Sequence, residues 1–357
     1  MSEAPSSEPR FVARWDLDKT YLRTEFDTPR DLIKTALERP DQKRSVPGAA
    51  SVLRELGRSG AFIHILSGSP RQMRGSLQEK LRIDRVRWDQ LTLKPNLSNA
   101  LRLRFRAIRD QLGYKLPALL ETQVNPRPDP VDESAPDLVR EILVGDDAEA
   151  DAFVYSLYAD ICDGNVDAAL LRRVLAAGRV YSDVQERCVS ALGDLRRGAV
   201  VKRILIHLER QTPPSRFKLY GARVVPFYNY LQVAFVLAED GLLEPDAVLR
   251  VASEFALRQR FDAHALARSY HDLMRRGHVS GALVAPLERS LASLLDSGPV
   301  PARESLKELV LTLGRYAVDP PELSAARTSQ EPSLDYVDLA RRHRRRHRSP
   351  FFMPADV

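Results

Sequence analysis

The stretch "RWDLDKTYLRT", residues 14–24, decides the reading of this chain. It closes the apolar run "FVARWDLD" (residues 11–18) and sets Asp16 and Asp18 one residue apart, with Thr20 two further on. Two carboxylates held side by side at a strand end repel each other and lose solvation unless a cation lies between them or one keeps its proton. A hard divalent cation meets that need. Oxygen ligands with octahedral demands favour magnesium, which keeps several waters and takes one or two carboxylates together with a substrate phosphate. Alternation along an extended segment predicts Asp16 and Asp18 on one side, with Leu17 in the core.

The same arrangement recurs twice. "AFIHILSGSP" (61–70) ends at Ser67 and Ser69, and "EILVGDDAEAD" (141–151) ends at Asp146, Asp147 and Asp151. Apolar runs separated by helical segments predict an α/β fold, a parallel sheet covered by helices, in which ligands sit beyond the carboxyl ends of the strands. Between the first two runs, Pro47 and Gly48 open a helix with Ala50, Val52, Leu53 and Leu56 as its apolar stripe, ended by Gly60. Further helices are expected after Ser69 and through "NALRLRFRAIRDQLGYKLPALLE" (99–121), followed by the Pro- and Asp-rich loop "NPRPDPVDESAPD" (125–137).

From about Asn165 the pattern turns helical throughout. "AVVKRILIHLERQ" (199–211) and "VPFYNYLQVAFVLAEDG" (225–241) carry apolar residues at three- and four-residue intervals, as do the segments around them. The expected organisation is a polar, disordered lead-in over 1–9, an α/β domain over 10–165, an all-helical domain over 166–330 and a basic, flexible tail over 331–357.

With 357 residues, 44% of them hydrophobic, the chain is long enough for more than one core. No apolar run approaches the roughly 20 residues needed to cross a bilayer, and a cytoplasmic location is expected, peripheral at a membrane if the tail binds one. Cys162 and Cys188 lack a metal-ligand spacing and read as small buried residues. The formal net charge of +6 equals the six arginines of "RRHRRRHR" (341–348), so a neutral body carries a cationic tail. Arg341, Arg342, Arg344, Arg345, Arg346 and Arg348, followed by Phe351 and Phe352, suit an anionic membrane surface, and the same arginines would attract nucleic-acid phosphates. His64 lies inside an apolar run and reads as a packed, hydrogen-bonded core histidine rather than a base.

The order of the motifs resembles the haloacid dehalogenase superfamily of phosphohydrolases. Asp16, Asp18 and Thr20 match its first motif, Ser67 its second, and Asp146 with Asp151 the G-D-x-x-x-x-D form of its fourth. Within that superfamily, "LSGSP" and "LVGDDAEADAFVY" look like the catalytic domain of the actin-patch type of phosphatidate phosphatase, through Ser67, Ser69, Pro70, Gly145, Asp146, Glu149, Asp151 and Tyr155. Asp147, Ala148 and Lys19 depart from that pattern. The likeness covers residues 10–165 and none of the helical half.

What the resemblance implies is a Rossmann-like parallel sheet with a small cap or none, and a Mg2+-dependent phosphatase working through an aspartyl phosphate on a phosphorylated small molecule or a phosphatidate-like lipid. Asp16 would be the nucleophile, Asp18 the general acid and base, and Thr20 and Ser67 supporting groups. The lysine would be Lys115 in "YKLPALLE", with Lys94 in "TLKPN" as the competitor. The metal set would be Asp16, Asp18, Asp146 and Asp151, with Asp151 preferred to Asp147 on spacing. Two other readings stand beside it: a nucleic-acid-binding or end-processing protein that uses the tail, and an inert scaffold built on the helical half.

Overall fold

The computed structural model describes residues 11–23, 40–94, 108–123, 140–195, 197–318 and 333–346. The lead-in, the Pro- and Asp-rich loop, Arg348, Phe351, Phe352 and the expectation of a small cap or none lie wholly or in part outside the described residues.

Six parallel strands form one sheet in the order β3-β2-β1-β4-β5-β6. They are β1 (Phe11–Asp16), β2 (Phe62–Pro70), β3 (Gln90–Lys94), β4 (Arg140–Asp146), β5 (Val201–His207) and β6 (Val224–Phe227). Between β1 and β2 runs α1 (Ala49–Arg58), whose expected stripe is buried at Val52, Leu53 and Leu56 and half-buried at Ala50. After β2 come a short 3-10 turn and α2 (Arg74–Ile83), then β3 and α3 (Ile108–Glu121). β4 leads into α4 (Asp151–Cys162), α5 (Ala168–Ala177) and α6 (Ser182–Ala191). Beyond β6 lie α7 (Tyr230–Glu239), α8 (Pro245–Gln259), α9 (Ala263–Arg275), α10 (Val284–Ser297), α11 (Arg303–Val318) and α12 (Tyr336–Arg346).

Strand side chains alternate between two apolar layers. Ala13, Trp15, Ile63, Ile65, Val144 and Leu205 join α1, α2 and α7 to α11 on one face, while Leu66, Leu143, Ile204 and Ile206 join α3 to α6 and α12 on the other. Both faces of the sheet are therefore covered, as parallel sheets require.

Two expectations are corrected. The span 166–330 is not all helical, because "AVVKRILIHLERQ" contains β5 and "VPFYNYLQ" begins with β6, and both extend the sheet that β1 and β4 belong to. The basic tail is not wholly flexible. Residues 336–346 are the helix α12, docked through buried Tyr336, Val337 and Ala340, with the Tyr336 hydroxyl donating to Asp160 at 2.5 Å and Arg344 donating to the Ala177 carbonyl at 3.2 Å. Arg341, Arg342 and Arg345 stay exposed on it. Among the described residues no helix is long and apolar enough to cross a membrane.

Candidate active site

β1 stops at Asp16, and the next residues wind back instead of staying extended. Tyr21 and Leu22 both donate backbone N–H to the Leu17 carbonyl, and Lys19 sits in the left-handed region at φ 60°. A side-chain-bearing residue holds that conformation only where its surroundings over-determine it. Here the Thr20 carbonyl accepts from the buried Tyr230 hydroxyl at 2.6 Å, and Trp15 stacks on the Tyr230 ring at 5.5 Å. The turn carries Asp18 out of the strand line, so the expectation of one continuous extended segment through residue 18 does not hold, although Leu17 is in the core as expected.

Asp16, Asp18, Thr20, Ser67, Lys115, Asp146 and Asp151 are all buried at the carboxyl edge of the sheet. Each of Asp16, Asp146 and Asp151 offers a carboxylate oxygen within 4.8 Å of the other two. Asp18 belongs to a neighbouring group: its carboxylate accepts from the Ser67 hydroxyl at 2.9 Å and from Ser69 at 3.3 Å, and it is not part of the triad. Thr20 Oγ1 lies between Asp16 and Asp146, at 3.3 and 3.4 Å from one oxygen of each.

Asp146 is fixed by the turn that follows β4. Its Oδ1 accepts the backbone N–H groups of Ala148 and Glu149 at 2.6 and 2.9 Å, while its own N–H donates to Asp151 at 3.1 Å. Asp151 opens α4, where a negative charge meets the positive end of the helix. It lies so close over Gly145 that a Cβ there would come within 2.2 Å of its carboxylate, which explains the glycine before Asp146. Asp147 faces elsewhere, accepting from the N–H groups of Arg210 and Thr212 at 2.8 and 3.0 Å, while Asp151 lies beside Asp16 and Asp146.

Lys115 reaches this cluster from α3. Its ammonium lies 3.0 Å from Asp16 and 2.8 Å from Glu149 and pairs closely with Asp151, so three carboxylates surround its three donors. The competitor Lys94 ends β3, in register with Pro70. Glu149 is a member of the site to which sequence reasoning assigned no role. Its match to the phosphatidate-phosphatase pattern was the available signal.

The electrostatics are one-sided, with five carboxylates (Asp16, Asp18, Asp146, Glu149, Asp151) gathered around Lys115. Burial pushes Asp16 well up from the ordinary carboxylate range, and Asp151, Glu149 and Asp146 push the same way against the pull of Lys115. Asp146 and Asp151 are likewise raised, first by burial. Asp18 is raised to about 6 by burial and then by Glu149, while the Ser67 hydrogen bond lowers it. Burial works against the Lys115 ammonium, yet Asp151, Asp16 and Glu149 hold it well above its usual value.

This donor set fits a hard cation. All three triad groups are carboxylates, and Asp16 Oδ1 makes no hydrogen bond among the described residues although it is buried, the Lys115 ammonium being near it only as an ion pair. The Tyr155 hydroxyl, one turn along α4 from Asp151, is also buried and has no hydrogen-bond partner among the described residues.

Below the cluster, a second buried polar group spans the sheet. Arg14, two residues before Asp16, donates to both oxygens of Glu141 at 2.8 and 3.0 Å, to the Thr122 hydroxyl and carbonyl at 2.9 Å each, and lies 3.0 Å from His64 Nδ1. All five of its N–H groups are thereby used. His64 Nε2 meets Thr92 at 2.8 Å and the Tyr158 hydroxyl donates to Glu141 at 3.0 Å, which agrees with the reading of His64 as a packed, hydrogen-bonded residue.

No protein-family model matches the chain, and no curated protein matches it. Among solved structures, the Pnkp1/Rnl/Hen1 complex is similar at a TM-score of 0.30 and 17% identity, over 44% of this chain and 46% of that one. DsGPDH of Dunaliella salina is similar at a TM-score of 0.25 and 11% identity, over 94% of this chain and 81% of that one. At these scores neither likeness bears on function, and the chain stands as an α/β protein with a buried acidic triad compatible with a metal ion.

Proposed function

We propose that the protein is a magnesium-dependent phosphatase of the haloacid dehalogenase type, hydrolysing a phosphate monoester through an aspartyl phosphate on Asp16. One observation carries this reading: residues from five separate elements, β1, β2, β4, α3 and α4, meet in one buried cluster in which the Lys115 ammonium touches the first aspartate of "DLDKT".

Asp16 and Asp146, with Asp151 beside them, would hold the ion. Bound there, it supplies positive charge that offsets the carboxylates and draws negative charge from a phosphoryl oxygen. The chain's own groups do the rest. An Asp16 carboxylate oxygen attacks phosphorus while the bond from phosphorus to the alcohol oxygen breaks, and Asp18 gives that oxygen its proton. Asp18 then takes a proton from water as the water oxygen attacks phosphorus and the bond from Asp16 to phosphorus breaks. A general acid serves best near the working pH, and Asp18, lifted to about 6, is suited to both steps. Lys115 and the Ser67 hydroxyl face the charge that the phosphoryl group brings, and Thr20 holds Asp16 and Asp146 in place.

The test is hydrolysis of an aryl phosphate by the full chain with and without magnesium. Wild type turns over only with the metal, and Asp16→Asn loses at least about 10³-fold in kcat while folding normally. In the same samples magnesium at 100 times its Kd stabilises wild type by about 2.7 kcal/mol in thermal unfolding and leaves Asp146→Asn unmoved. Turnover by Asp16→Asn at the wild-type rate removes the proposal.

A further inference from the structure

Tyr181, at the N-cap of α6, is 63% exposed, and the Arg109 guanidinium from the first turn of α3 lies 5.2 Å from its ring centroid. More basic groups converge on this ring. Arg179, two residues earlier and just past the end of α5, is exposed in the left-handed region at φ 60°. The Ala177 carbonyl, at the end of α5, accepts from Arg344, which brings the arginine-rich part of α12 alongside. Gly178 closes the join: a Cβ there would come within 2.8 Å of Leu112 on α3, and α12 packs on both α3 and α5. Arg341 and Arg345, one turn apart on one side of α12, are exposed. Neither they nor Arg179 make an ion pair among the described residues. The opposing charges are Asp110, 3.4 Å from Arg109, Asp338, paired with Arg342 at 2.5 Å, and Asp183, exposed two residues beyond Tyr181.

Clustered arginines attract any polyanion, and three features choose among them. A helix that binds a bilayer from its surface lays an apolar face into it, whereas the apolar face of α12 is already buried against the body through Tyr336, Val337 and Ala340. An exposed ring among guanidinium groups suits an unstacked base flanked by phosphates, since every base has a face to stack and a guanidinium grips a phosphate through two parallel hydrogen bonds. The base faces of a duplex are stacked on one another and leave such a ring unused. Residues 341–348 also hold six arginines and no lysine, although lysine would supply charge alone equally well.

We propose that the surface formed by Tyr181, Arg109, Arg179, Arg341 and Arg345 binds single-stranded nucleic acid, the ring stacking on a base and the guanidinium groups pairing with phosphates on either side. None of these residues belongs to the acid cluster, so the surface and the phosphatase reading stand or fall separately.

The experiment follows the fluorescence anisotropy of a labelled oligothymidylate of about 20 nucleotides with the full chain in magnesium-free buffer, from about 50 to about 200 mM KCl. A DNA duplex of the same length and vesicles of phosphatidylserine and phosphatidylcholine are compared with it. The single strand is expected to bind most tightly. Arg341→Gln/Arg345→Gln, at exposed positions, is expected to flatten the dependence of log affinity on log salt by about 1.4. Arg179→Gln is expected to flatten it by about 0.7 and serves if the double variant does not fold. Tyr181→Ala is expected to weaken binding at least about fivefold and to leave the salt dependence in place, which separates stacking from charge. Binding to the duplex or the vesicles as tight as to the single strand overturns the proposal. So does a salt dependence unmoved by the arginine variants, an affinity unmoved by Tyr181→Ala, or no binding at the lowest salt.

Discussion

Arg14 and Asp16 stand two residues apart on the same strand, both fully buried, and the clusters built around them are opposites. Around Arg14 one guanidinium faces one carboxylate, and every N–H finds an acceptor. Around Asp16 carboxylates crowd one ammonium, each aspartate is pushed toward its protonated form, and Asp16 Oδ1 has the Lys115 ammonium beside it as an ion pair but no hydrogen bond among the described residues. The first cluster is complete without any ligand and ties β1 to β2, β4 and the end of α3. The second is an acidic group of the kind that a metal ion would balance. A chain that buries charge only for stability would resemble the first throughout.

The largest expected effect breaks the balanced side of this contrast. Arg14→Met leaves Glu141 buried without its partner and costs about 3–5 kcal/mol in urea unfolding, whereas the double variant Arg14→Met/Glu141→Met removes both charges and recovers at least half of that loss. A double variant no better than the single would show that the pair does not behave as a balanced unit.

Next in size is the crowded side. Asp18 sits at about 6 in the folded chain against an ordinary 3.8, so its contribution to stability is full below pH 3.8 and is lost as pH rises through 6. In metal-free buffer Asp18→Asn should match wild type near pH 3.5 and exceed it above pH 6 by up to about 3 kcal/mol, read from denaturant midpoints at each pH. An equal offset at both pH values would contradict this origin.

Smallest over any single pH unit is the effect of His64, held down to about 2 by burial and then by the Arg14 charge, against an ordinary 6.5. The folded imidazole stays neutral where the unfolded one protonates. Its contribution is therefore full above pH 6.5 and falls as pH drops below it, by at most about 1.4 kcal/mol per pH unit. Replacing His64 by Gln should flatten the wild-type slope between pH 6 and pH 4 by that amount.

Much of this was legible in the sequence because an apolar run ending in carboxylates or hydroxyls is a strong local signal. It located β1, β2 and β4, and with them Asp16, Ser67, Asp146 and Asp151. Lys115 was placed by its likeness to a family pattern, against the rival Lys94. β5 was missed because a parallel strand buried on both faces loses its alternation; Val201, Ile204, Leu205, Ile206 and Leu208 fit a helical period equally well. β6 was missed because it has only four residues and contains Pro226, which an edge strand tolerates and a central one does not. The Arg14 group could not be read at all, since its acceptors lie 50 to 127 residues away along the chain. The extended segment was carried two residues too far, to Asp18, because the turn at Lys19 is held by Tyr230, more than two hundred residues downstream.

That last contact has a consequence for how the protein can be divided. The hydroxyl of Tyr230 clasps the loop that follows Asp16 from more than two hundred residues further along the chain, and β5 zips onto the free flank of β4. A fragment cut after residue 165 would carry every aspartate of the site yet bare a strand flank to its neighbours and lose the clasp. The stretch that resembles a known catalytic unit is thus not a portable module, and neither portion of the chain can be exchanged, fused or expressed as though the other were an appendage.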